Sequence, residues 1–327
     1  MNMFVAFICN AIPLSIPLLY GSVGEILTEK SGHLNLGIPG IMYVGAISGV
    51  IGAFLYETAV ATLNPVLAIL IPLLCSIAGS VLMGLIYSFF TITLRANQNV
   101  TGLALTTFGI GIGNFFGGSL IKLVDTDMPS VILSKTSIFY CTNLPFAEDL
   151  GWFGQIFLSH DFLTYASIII ALVVSFVLNR TRVGLNLRAV GENPATADAA
   201  GINVTKYKYL ATSIGSAIAG LGGLYYVMVY TNGSWSNNGF GDRGWMAIAL
   251  VIFALWKPTM AILGSFLFGA LCSVNNYIQG LGTATQELFK LLPYIVTLLV
   301  LIVTSMRKKR EHQPPESLGL SYFREDR

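Results

Sequence analysis

Residues 58–94 read TAVATLNPVLAILIPLLCSIAGSVLMGLIYSFFTITL and contain no Asp, Glu, Lys, Arg or His. A helix needs about 20 mostly apolar residues to cross the hydrocarbon of a bilayer, whereas a barrel strand needs about 10 with alternating polarity. The solid apolar block therefore predicts helix. Working outward, 1–24, 96–121 and 162–179 are also uncharged, and 31–56 carries only His33. The chain is 54% hydrophobic and 10% charged, against about a quarter charged in soluble domains. The fold class expected is an all-α polytopic membrane protein with about nine (8–10) transmembrane helices.

The spans are expected near 3–25, 36–55, 63–94, 98–121, 162–179, 207–230, 244–256, 259–280 and 288–306. The third is long enough to tilt or kink, and the seventh is short for a regular crossing. The first positive residue is Lys30, so 1–24 reads as a first membrane helix and not as a secretory leader. The transmembrane domain is taken as 1–306, with a cytoplasmic tail, 307–327, that is polar and expected to be loosely ordered.

Charge sets the orientation. Segment 180–208 holds Arg180, Arg182, Arg188, Lys206 and Lys208 against Glu192 and Asp198, and the tail opens with Arg307, Lys308, Lys309 and Arg310. Both belong in the cytoplasm by the positive-inside rule, and four spans between them keep the parity. The N-terminus then lies outside. So does loop 122–161, where Asp125, Asp127, Glu148, Asp149 and Asp161 outnumber Lys122 and Lys135. Trp152, Trp235, Tyr140 and Tyr56 are expected at the outer interface.

An internal echo links GSVLMG at 79–84 to GSFLFG at 264–269. Glycine-rich approaches precede them, NLGIPGIMYVGA at 35–46 and NNGFGDRGWMAIA at 237–249. By the charge count one approach starts inside and the other outside, which points to an inverted internal repeat. Small residues that recur for helix packing give the alternative reading.

Catalytic and ATP-binding motifs are missing: there is no GxxxxGK[ST], HExxH or GxSxG. Cys9, Cys75, Cys141 and Cys272 lack CxxC spacing, and His33, His160 and His312 are isolated. The histidines read as solvated residues, and no metal site or cofactor is expected. An integral-membrane enzyme is disfavoured. Ionisable residues within the spans are almost lacking; Glu25, Asp242 and Glu287 fall near predicted ends. That weighs against proton coupling, and leaves open an ion-coupled carrier working alone or an energy supply from another subunit.

Neutral polar residues do occur along the expected path. Asn97, Gln98, Asn99 and Thr101 open the fourth span, Thr106, Thr107 and Asn114 lie within it, and Asn237 and Asn238 precede the seventh. As a set they suit a polar uncharged solute; singly, each also reads as a helix cap or interhelical contact. The pathway candidates are Asn35, Gly37, Gly40, Asn97, Gln98, Asn99, Thr106, Asn114, Asn238, Phe240 and Trp245. Trp235, Asp242 and Arg243 are candidates for the outer mouth.

One polar segment interrupts the spans, RAVGENPATADAAGINVTKYKY at 188–209. Asn193 is a good N-cap, Pro194 suits the first helical position, and Gly201 can end a helix in the left-handed conformation. A helix of about seven residues results, near 10 Å long. It is marginal alone and poor in large apolar groups, so it must rest either on a partner or on its own chain.

TRVGLNLRAVGENPATADAAGINV resembles the cytoplasmic coupling segment of ABC-importer permeases of the branched-chain amino acid and simple-sugar family. Gly184, Leu185, Arg188, Ala189, Gly191, Asn193, Pro194, Ala197, Ala200, Gly201 and Ile202 carry the match. EKSGHLNLGIPGIMYVGA at 29–46 is similar to the family's Leu-Asn-Leu-Gly-x-x-Gly block. GDRGWMAIALVIFALWKPTMAILGSFLFG at 241–269 is similar to the later block in the variant typical of nucleoside permeases. The likeness spans about residues 10–305 and is poorest over 122–160.

The resemblance implies a type II ABC-importer-like permease fold in the cell membrane that carries a nucleoside or related sugar-containing solute. It implies a second permease subunit, an ATPase that holds the ATP and magnesium, and an external substrate-binding lipoprotein; no nucleic acid is expected. It makes 193–201 the coupling helix, with Arg188, Glu192, Asn193, Pro194, Ala197, Asp198 and Gly201 at the ATPase contact. Two features depart from the family pattern: Pro39 stands where an acidic residue is common, and Asp242–Arg243 adds charge, as an ion pair or as a contact for the binding protein.

Overall fold

Asn64 and Pro65 show how local sequence starts these helices. The Asn64 carboxamide accepts from the Val66 amide at 3.0 Å, and Pro65 fills the first helical position, where no amide hydrogen is needed. The computed structural model of the chain describes residues 3–124, 130–142, 151–277, 285, 288–289, 291–307 and 313–323. In order the elements are α1 (Met3–Glu29), α2 (Ile38–Ala59), α3 (Pro65–Ser88, continued by a π-helical turn Phe89–Thr93) and α4 (Gln98–Val124). Then come β1 (Ser130–Ile132), α5 (Ser134–Tyr140), α6 (Gly151–Phe157), α7 (Phe162–Arg180), α8 (Arg182–Glu192), α9 (Pro194–Ala199) and α10 (Val204–Tyr225, with a π-helical end Tyr226–Tyr230). The last are β2 (Ser234–Ser236), α11 (Arg243–Phe253), α12 (Pro258–Tyr277) and α13 (Leu292–Arg307).

Among the described residues six helices are long and apolar enough to cross a membrane: Val5–Glu29, Ile38–Ala59, Pro65–Thr93, Gln98–Leu123, Phe162–Arg180 and Val204–Tyr230. They coincide with the first six expected spans. The other three expected spans meet shorter apolar helices, Arg243–Phe253, Pro258–Val274 and Leu292–Val303. The third expected span, long enough to tilt or kink, carries Pro72 inside α3 and ends in the π-helical turn.

The helices are not equally deep. The apolar window of α2 is 78% buried and that of α10 is 72%, against 28–33% for α3, α4 and α7. Helices α1, α2 and α10 therefore form the centre, and the outer helices turn residues such as Leu82, Phe115 and Phe176 outward. Glycine lets the central backbones touch. A Cβ at Gly24 of α1 would run into the Gly215 carbonyl of α10, and one at Gly215 into that of Gly24.

A two-stranded antiparallel ribbon pairs β1 with β2, Val131 opposite Trp235. It sits at the end of the bundle away from α9. Among the expected interface aromatics Trp152 is exposed and Tyr56 half-buried. Trp235 and Tyr140 are buried within the protein, and Tyr140 donates to the Ile69 carbonyl at 2.6 Å. Asp161 caps α7 through the Thr164 amide at 2.9 Å. Asp125, Asp127, Glu148, Asp149, Glu287, Lys308, Lys309, Arg310 and His312 lie outside the described residues.

Two expectations fail for one reason, that polar residues here find internal partners. His33 is not solvated: it is fully buried, with Nδ1 2.9 Å from the Thr212 hydroxyl and Nε2 2.7 Å from that of Thr91. It thereby ties α10 to the π-helical end of α3. His160 is half-buried, with Nε2 2.8 Å from the Ile156 carbonyl. The tail also differs from expectation, since 313–323 runs back along the protein. Ser317 donates from its amide (3.1 Å) and its hydroxyl (2.6 Å) to the Gly191 carbonyl, and the Gln98 amide nitrogen donates to the Leu320 carbonyl at 3.3 Å.

Burial first, and the charge of Lys208 second, push the His33 imidazole down to about 3. The unfolded chain therefore binds a proton near pH 6.5 that the folded chain refuses, so stability falls as pH drops from about 6.5 toward 3. Replacing His33 by Gln is expected to flatten the fall in Tm between pH 6.5 and 4 in detergent. Parallel curves for the two proteins would contradict this.

Candidate functional site

The expected site residues separate into two groups at opposite ends of the bundle. At one end α9 follows α8 directly. The Asn193 side chain accepts from the Thr196 amide at 2.9 Å, Pro194 opens the helix, and Gly201 closes it at φ +84°. The Ile202 amide returns to the Ala197 carbonyl at 3.0 Å. The short helix expected from the sequence is thus present, ending at Ala199. The flanking helix α8, with Arg188 and Glu192, goes beyond that expectation.

Helix α9 is held by its own chain. Ala197 is buried in a small cluster with Val190 and Val204, against which Ile202, Tyr207 and Tyr322 pack. The Tyr322 hydroxyl donates to the Asp198 carboxylate at 2.9 Å. The tail thus supplies the large side chain that α9 lacks. Glu192, Asn193, Thr196, Ala199, Ala200 and Gly201 remain exposed on this end, so the helix offers an open face that is polar and small. Arg188 and Glu192 line a cavity of about 400 Å³ together with Lys30 and Lys257. Burial lowers Lys30, with the nearby Glu192 acting the other way.

Several pathway candidates have partners within the chain at this end. Asn35 is buried: its amide donates to Glu25 Oε1 at 3.0 Å, and its side-chain oxygen accepts from the Gly37 amide at 2.9 Å. Glu25 and Glu29 are buried too, and the Trp256 indole donates to Glu29. Leu255 and Trp256 both take φ +54° to present that indole, a costly conformation for residues with a Cβ. Asn97 caps α4 through the Val100 amide at 3.1 Å. Gln98 accepts from the Leu34 amide at 2.8 Å and Thr106 donates to the Leu36 carbonyl at 2.8 Å, while Asn99 is exposed. A Cβ at Gly40 would stand 2.6 Å from the Leu105 carbonyl oxygen, so Gly40 serves close packing of α2 on α4.

The second group lies toward the β ribbon. Asn114 of α4, Asn238 and Tyr43 of α2 form a closed set. The Tyr43 hydroxyl donates to Asn114 Oδ1 at 2.5 Å and accepts from the Asn238 amide at 2.8 Å, and Asn114 Nδ2 donates to Asn238 Oδ1 at 2.8 Å. Asn238 holds φ +59°, tolerable for Asn, which turns the chain into this arrangement. A chain of aromatic rings extends from Tyr43 through Phe240 to Tyr226. Trp235 and Phe240 meet Tyr43 edge-on at 5.2 and 6.3 Å, and Tyr226 stacks on Tyr230 at 5.3 Å. Trp245 is half-buried at the start of α11.

Arg243 turns inward. It donates to the Phe240 carbonyl at 2.7 Å and lies 4.5 Å from the centre of the Tyr226 ring. Asp242 is exposed. Trp235, expected at the outer mouth, is instead buried behind Tyr43. Tyr43, Tyr226 and Tyr230 were not singled out by the sequence; tyrosines within apolar spans bordered by Asn and Gly were the available signal. Amide groups among aromatic faces can hydrogen-bond a neutral polar solute and stack on a planar one.

Comparison with known proteins shows the family. Residues 7–301 match the family model described as branched-chain amino acid transport system / permease component. A Haloferax volcanii protein, provisionally named a glucose ABC transporter permease, is 31% identical over 98% of this chain and 99% of its own. A nucleoside ABC transporter permease of Lactococcus lactis is 29% identical over 92% of both chains. A guanosine ABC transporter permease of Bacillus subtilis is 29% identical over 87% of both.

Removing the Tyr322 hydroxyl tests whether the tail holds α9. A hydrogen bond of this kind contributes about 1 kcal/mol. In Tyr322→Phe, amide exchange over 196–202 is expected to quicken about fivefold, with the centre of α10 unchanged. Unaltered exchange at 196–202 would mean that the tail merely lies alongside.

Proposed function

Because the chain belongs to the branched-chain amino acid transport system permease family, we propose that it is the membrane-spanning subunit of an ATP-binding-cassette importer for a nucleoside or a related sugar-containing solute. The observation that carries the coupling half is α9, a capped helix with an open face, rooted between two helices and clasped by the tail. In this reading α9 sits in a groove of a separate ATPase, where ATP and magnesium are held. Arg188, Glu192, Asn193, Pro194 and Gly201 shape the contact, while Ala197 and Asp198 anchor the helix to its own chain. This end is then cytoplasmic, the N-terminus lies outside, and the three shorter apolar helices complete nine spans over 1–306. The echo between α3 and α12 is the trace of an inverted repeat.

The solute half rests on Asn114, Asn238 and Tyr43 with the adjoining rings. They suit a solute with hydroxyl and amide groups and a planar base, and need no charge on it. The names of the relatives from Lactococcus lactis and Bacillus subtilis agree with a nucleoside, and that from Haloferax volcanii with a sugar. The second permease subunit is most simply a different chain, since Lactococcus lactis holds two distinct relatives named as nucleoside permeases. An external binding protein delivers the solute near Asp242.

Replacing 193–200 by a Gly/Ser linker is expected to abolish solute-stimulated ATPase activity in the assembled complex while the chain stays in the membrane. Uptake that survives the replacement would make the protein a carrier working alone. In the second test, Asn114→Leu is expected to lower uptake of labelled guanosine or uridine about tenfold or more, because a polar site loses its partner. Basal ATPase activity should not change. Competition by unlabelled nucleosides, ribose and leucine then identifies the solute class; competition by leucine alone would overturn the nucleoside assignment.

A further inference from the structure

A second cavity, of about 780 Å³, opens at the α9 end, with Asp198 and Gly201 of the α9 segment on its wall. The π-helical end of α3, the first turn of α10 and the tail at Ser321–Tyr322 line it. Lys208 is among its lining residues, and only 3% of that residue is exposed. Among the described residues its ammonium has no hydrogen-bond or ion-pair partner. A buried charge in that condition is costly and calls for a counter-charge.

Among the described residues that line the cavity, cations outnumber carboxylates. Arg95 and Lys206 line the same cavity and are exposed at its mouth. Asp198, which accepts from Tyr322, also lines it and is one carboxylate against the three cations Lys208, Arg95 and Lys206. His33, on the cavity wall, has both ring nitrogens engaged with Thr91 and Thr212. Helix α10 begins here, and the positive end of its dipole adds to the field. Three cations and a helix start therefore face one water-accessible space. We propose that this cavity binds a phosphate-bearing anion, with Lys208 as the deep contact and Arg95 and Lys206 at the mouth. Phosphate offers several strong acceptors to such donors and stays charged as it enters.

Two sources present that chemistry, the headgroup of an anionic phospholipid and a soluble phosphate compound. Either would bridge the end of α3 to the turn that leaves α9. The site rests on its own observations, so it stands or falls independently of the nucleoside assignment.

The test is thermal unfolding of the purified full chain in neutral detergent, titrated with inorganic phosphate, phosphatidylglycerol or phosphatidylcholine. Wild type is expected to gain Tm with phosphate if the source is soluble, or with phosphatidylglycerol alone if it is lipid. Lys208→Gln should abolish the gain, and its Tm without anion should equal or exceed wild type, because an uncompensated charge has gone. If Lys208→Gln does not fold, Arg95→Gln at the exposed mouth should still weaken the apparent affinity about tenfold, as loss of a charged hydrogen bond does. No gain with either anion, an equal gain with phosphatidylcholine, or an unchanged response in the variants would overturn the site. So would loss of ATPase assembly in Lys208→Gln with no anion effect, which would make a protein carboxylate the counter-charge.

Discussion

Close backbone contact at glycine is the constraint on which the rest of the structure depends. Lipid is as apolar as leucine, so helices gain little by hiding apolar side chains from it, and packing must come from surfaces that fit. Gly24 and Gly215 bring α1 against α10, and Gly45 and Gly220 bring α2 and α3 against the same helix, at Ser80. Ser76 completes the α3–α10 seam by donating to the Gly220 carbonyl at 3.2 Å. Three buried helices thus behave as one unit. The large side chains are displaced to the rim, where lipid accepts them.

That unit connects the two ends. Helix α10 starts at the turn after α9 and finishes at the stacked Tyr226 and Tyr230. Helix α4 starts at Gln98, which touches both the loop after α1 and the tail, and carries Asn114 to the opposite group. A displacement applied at α9 therefore has two continuous helices along which to act. Under the proposed function, this continuity is the physical content of coupling.

The apolar spans and the caps of α9 were legible in the sequence because both depend on near neighbours. Hydrophobic length, Asn193, Pro194 and Gly201 specify local geometry whatever surrounds them. His33 was not legible: its partners lie 58 and 179 residues away, and an isolated histidine has no local mark of burial. The same applies to Gln98 and Thr106, whose amide and hydroxyl read as pathway groups but are used to fix the loop before α2. At the second site the polar candidates Asn114 and Asn238, far apart in sequence, are brought together by the structure. Tyr43 escaped notice because a tyrosine in a membrane helix is unremarkable until its hydroxyl is seen between two asparagines.

The clasp on α9 has a consequence in time. Tyr322 follows Asp198 by 124 positions, and its ring completes the cluster around Ala197. During synthesis α9 must leave the ribosome long before the residue that steadies it exists. Until then it has only Val190, Val204 and their neighbours to rest on. The handle at this end thus reaches its final shape only after every helix of the bundle has been made. A chain interrupted at any earlier point would present a looser surface to whatever docks there.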